Sequence, residues 1–113
     1  MSAAIALIGL RLVIAANEFV EAEQIALIED VNTDTQQLWL RLEHPLTVED
    51  VSYAYAVASP RPERMLIHEL LGGTPLGCSV TWVPRDQETR RFDLSWWRGG
   101  AAAITDIQAT ESK

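Results

Sequence analysis

Residue pattern points to a small β-rich α+β domain, a mainly antiparallel sheet with one or two covering helices, with an all-β sandwich as the alternative. Three observations carry this expectation. Apolar and polar side chains alternate over residues 51–58, 78–83 and 91–97, the period of two that a half-buried strand needs. Turn-forming clusters separate such segments, as Asn32-Thr33-Asp34-Thr35 does before residues 36–43. Helical spacing is clearest over residues 62–71.

Along the chain, residues 5–15 read as a strand buried on both faces. Ile5 and Leu7 alternate with Ile8, Leu10, Leu12 and Ile14, and neither parity is polar. Arg11 interrupts this apolar run, which is too short for a transmembrane helix and lacks the leading positive charge of a signal peptide. Residues 17–31 are ambiguous. Asn17 suits a helix cap, but Glu23 and Asp30 would fall on the apolar stripe, whereas residues 24–31 as a strand would form a hairpin with 36–43.

Residues 47–58 divide between a capped helix, from Thr47 and Asp50, and a strand, from the alternation after Val51. A strand following a short turn is favoured. Residues 62–71 read as a helix, with Pro62 in the first turn, Leu66, Ile67, Leu70 and Leu71 on one side, and Gly72-Gly73 as a stop. Residues 78–83 and 91–97 read as a hairpin around Pro84 to Thr89. Residues 101–107 read as a last strand, and residues 108–113 as a frayed tail. No repeat or linker divides the chain, so residues 1–113 are expected to be a single domain.

Composition narrows the chemistry. The net charge of −7 opposes nucleic-acid binding, because phosphate contacts need clustered cations. Residues 1–58 carry nine acidic and two basic side chains, while residues 59–113 carry seven of each, so the charge resides in the first half. The single lysine is the terminal Lys113, which removes the usual residue of Schiff-base and Walker-type sites. Cys78 is the only cysteine, so no internal disulfide can form, and a reducing, cytoplasmic setting is expected.

The partial motifs fail on their own terms. Gly72 to Ser79 has the glycine spacing of a phosphate loop, but Cys78 stands where lysine is needed. Asp30, Asn32 and Asp34 match the start of a calcium loop, yet Thr35 replaces its glycine and Arg41 its bidentate glutamate. His44 and His68 lack any metal-ligand spacing, so neither a metal nor a cofactor is expected. His44 is placed in an exposed loop before Pro45. Cys78 reads as a small core residue rather than a thiolate, and Tyr53 and Tyr55 as neighbours on one strand face.

By elimination, the expected function is a non-enzymatic protein-interaction module: an adaptor, an inhibitor or a small subunit. Its partner is another protein or a second copy of the chain, with no nucleic acid and no membrane. The residues expected to bind are Trp97, an indole on the polar face of its strand, with Arg91, Asp93 and Arg98 around it. A small-molecule or carbohydrate pocket walled by Trp39, Trp82 and Trp96 is the alternative. An enzyme using His68 with Glu43, Glu69 or Asp93 is the weakest reading, because no spacing selects two of these groups.

Overall fold

A computed structural model of the chain describes residues 7–61, 70, 75–87, 91–95 and 101–110. Among these, the strands are β1 (Arg11–Ile14), β2 (Gln24–Asn32), β3 (Gln37–Val48), β4 (Val51–Pro60), β5 (Leu76–Pro84) and β6 (Ala102–Ala109), with one short 3-10 turn at Arg85–Gln87. Each strand pairs antiparallel with the next, and β1 pairs with β6 through Leu12↔Ala109 and Ile14↔Ile107. The sheet therefore closes into a six-stranded barrel.

This corrects the α+β expectation. An open sheet needs a helix to cover its apolar face, whereas a closed sheet covers that face with itself. The all-β alternative lies nearer, although one sheet curls shut where a sandwich would stack two. The helix expected over residues 62–71 lies outside the described residues except for Leu70, which is fully buried in the core. Among the described residues, no helix is long and apolar enough to cross a membrane.

Alternation explains the interior. Leu12 and Ile14, Ala26 and Ile28, Leu40 and Leu42, Ala56 and Ala58, Cys78, Val80 and Trp82 all point inward and join one buried cluster. The alanines leave room for the Trp82 indole, so the barrel is filled by its own side chains. Trp82 Nε1 donates to Gln24 Oε1 at 2.8 Å, and Phe19 lies 4.9 Å from the Trp82 ring. Burial pushes the Cys78 thiol up to about 12, with Asp106 adding to the shift, so the nucleophile reading has no support.

Irregularities in register change which face a residue occupies. Glu29 is an extra residue between the pairs Ile28↔Leu40 and Asp30↔Trp39, and Ala54 interrupts β4 between Tyr53↔Pro84 and Tyr55↔Val83. Tyr53 consequently packs inward, edge-on to Phe19 at 5.6 Å, while Tyr55 packs on the outer surface. The two tyrosines do not share a face, contrary to the expectation from uninterrupted alternation. Glu49 and Asp50, both at positive φ (50° and 68°), form the two-residue turn between Val48 and Val51. Thr47 therefore leads into a tight hairpin turn and does not cap a helix.

Several element boundaries also differ from expectation. Residues 17–31, left open between helix and strand, supply the strand of the 24–31 and 36–43 hairpin, and the favoured strand after Val51 is present. β1 is shorter than residues 5–15 and alternates, with Arg11 exposed and Leu12 and Ile14 buried. Residues 91–95 are not a strand: β5 already has β4 on one side and β6 on the other, leaving no edge for a hairpin partner. Gln108 and Ala109, expected to fray, pair with Val13 and Leu12.

Candidate binding groove

Strand register builds the site. The pairs Arg11↔Leu27, Leu27↔Arg41 and Arg41↔Tyr55 place four side chains in one row across β1, β2, β3 and β4. Neighbouring strands lie about 4.8 Å apart, so Arg11 and Arg41 flank Leu27 within reach of a common ligand. The row faces outward and borders a half-open groove of about 390 Å³. Buried Ala26, Leu42 and Ala54 also line it, with Leu27, Pro45 and Tyr55 beside them. Arg85, held on the 3-10 turn after β5, completes the arginine set, and Glu43 is the lining carboxylate.

The three arginines are not equivalent. Arg11 pairs with Glu43, which also lies 3.7 Å from His44 Nε2. Arg41 Nη1 pairs with Glu29 Oε2 at 3.3 Å. Arg85 is exposed and forms no ion pair with any described residue. His44 is 90% exposed, as expected, but it belongs to β3 rather than to a loop.

Immediately beside the groove, the outer face is closed. Trp39, Val57 and Val83 are buried there and are covered by Tyr55, Phe92 and Leu94. Tyr55 stacks on Trp39 at 5.0 Å and 24°. Phe92 meets the same indole edge-on at 6.5 Å, from a left-handed backbone with φ of 65°. Arg91 lies 5.6 Å above the Trp39 ring and bonds Asp30 Oδ2 at 3.4 Å, with Glu29 Oε1 at 4.0 Å. Trp39 Nε1 is buried without a hydrogen-bond partner among the described residues.

The residues singled out in the sequence fall in different places. Arg91 holds its own loop to the barrel, and Asp93 is exposed, with Oδ1 accepting the Ser95 backbone N–H at 3.1 Å. Trp97, Arg98, Trp96, His68 and Glu69 lie outside the described residues. Trp39 and Trp82 stand on opposite faces of the sheet, so they cannot wall a common pocket. Asp30 serves Val31 N–H and Arg91, while Asn32 Oδ1 caps the turn by accepting from Asp34 and Thr35. No group of three acidic, histidine or cysteine side chains suited to a metal is present among the described residues.

The sequence reading missed Arg11, Arg41 and Arg85. A usable signal existed, since Arg11 and Arg41 are the two basic residues of the acidic first half, and the register brings both to this groove. No family model matches the chain, and no curated protein or solved structure matches it either.

Proposed function

We propose that the chain is a non-enzymatic protein-interaction module that docks its partner in the groove of Arg11, Arg41, Tyr55 and Arg85. The observation that carries this reading is a half-open groove in which Leu27, Pro45 and Tyr55 lie among three arginines. Aromatic and arginine side chains around a desolvated centre are the usual composition of interface anchors. A filled barrel supports an external site over an internal one, because the interior is occupied by Trp82 and its neighbours. Glu43, the lining carboxylate, is held by Arg11, which favours a structural use of that charge over proton transfer.

A photo-crosslinking residue tests the location. We would install p-benzoylphenylalanine in place of His44, which is exposed between the lining residues Glu43 and Pro45, and separately in place of Ile104, which is 67% exposed on β6 across the barrel. The expected result is a discrete cross-linked protein from position 44 and none from position 104. Equal products at both positions, or none at either, would refute the groove as the docking site.

A further inference from the structure

Resting on the docking reading above, we infer that the partner presents a carboxylate-bearing acidic segment and that Arg85 is its principal contact. Charge inside the groove opposes charge on the rest of the molecule. Three arginines and one glutamate line it, on a chain whose net charge is −7. The imbalance is concentrated on one side chain, because Arg11 is matched by Glu43 and Arg41 by Glu29, whereas Arg85 is unmatched among the described residues. A planar guanidinium offers two parallel N–H donors to a carboxylate, which makes such a pair directional as well as attractive.

The neighbouring contacts show how the segment is received. Glu43 already occupies Arg11 as a carboxylate held by guanidinium, so the groove contains an internal example of the contact it would make with a partner. Leu27 and Tyr55 lie between and beside the arginines in the same row, giving apolar support to the segment's aliphatic stems. Pro45 guards the adjacent strand edge. Pro45 lies in the irregular stretch of β3 between the pairs Arg41↔Tyr55 and Leu46↔Tyr53, and its nitrogen carries no hydrogen to offer a partner strand. Side-chain capture in the groove is thereby favoured over addition of a partner strand to β3.

The test is a titration of the ¹⁵N-labelled chain with capped hexaglutamate, using capped hexalysine, citrate and inorganic phosphate as comparison probes. Hexaglutamate is expected to shift the Arg85 and Arg41 side-chain N–H signals and the Leu27 and Tyr55 amides, leaving β6 unmoved. Arg85→Gln should weaken that binding about three- to tenfold, and added salt should weaken it further. Equal shifts with hexalysine would overturn the inference. So would binding of citrate or phosphate as strong as that of the peptide, which would mark a small-anion site, or unchanged affinity in Arg85→Gln. If cross-linking from position 44 persists undiminished in Arg85→Gln, the docking reading survives and the acidic-segment inference falls. If no cross-link forms while hexaglutamate still binds through Arg85, the docking reading falls instead.

Discussion

The Trp39–Tyr55 stack has two ends, and the chain treats them differently. At the Trp39 end, Phe92 and Leu94 fold over the ring, and Arg91 is held by Glu29 and Asp30 while lying on the indole. At the Tyr55 end, the same kind of material, an aromatic ring beside arginines, borders an open groove with Arg85 unmatched among the described residues. One end has been completed by the chain itself. Among the described residues the other carries the same chemistry beside an open groove, and this asymmetry is why a partner is proposed for the groove and a stabilising role for the Arg91 patch.

If this contrast is correct, substitutions at the closed end should cost stability and those at the open end should cost binding. Trp39→Ala removes a fully buried indole and should destabilise by about 3–5 kcal/mol in chemical denaturation, whereas half-buried Tyr55→Ala should cost about half as much. Comparable losses would mean that both ends belong equally to the core.

The barrel interior provides an independent reference. The Cys78 thiol has its pKa raised in the folded state, from 9.0 to about 12, so its contribution to stability is present below pH 9 and is lost as pH rises toward 12. The slope should reach at most about 1.4 kcal/mol per pH unit, and Cys78→Ala should remove it. The native thiol should resist an alkylating reagent, and Arg91→Gln should leave that resistance unchanged, because the outer patch and the interior are separate clusters. Rapid labelling in Arg91→Gln would show that the two open together.

Smaller effects are expected at the arginines. Arg91→Gln loses a ring contact and two partly exposed ion pairs, and should cost about 1 kcal/mol, less at high salt. Arg85→Gln, exposed and unmatched among the described residues, should change stability by less than about 0.5 kcal/mol. A melting experiment at two ionic strengths measures both.

Local pairing was legible in the sequence and closure was not. The hairpin of β2 and β3 arises from alternation on either side of a turn-rich tetrapeptide, and the start of β4 from the odd positions after Val51. The β1–β6 contact joins Leu12 to Ala109, and no local pattern encodes so distant a pairing. Residues 91–95 misled for a physical reason. Phe92 and Leu94 share a direction because both cover Val57, Val83 and Trp39, and a loop laid across a sheet shows the same spacing as a strand within it. The groove was hidden because Arg11, Arg41 and Arg85 are distant in sequence, and register alone makes Arg11 and Arg41 neighbours of one leucine.

The decisive measurement is partner cross-linking from position 44 in Arg85→Gln beside Arg91→Gln, with the stability of each variant determined on the same samples. The prediction is a crossed pattern: Arg85→Gln keeps its stability and loses the cross-linked product, while Arg91→Gln is less stable and keeps the product. The reverse pattern would contradict the division between a self-completed patch and an open docking groove.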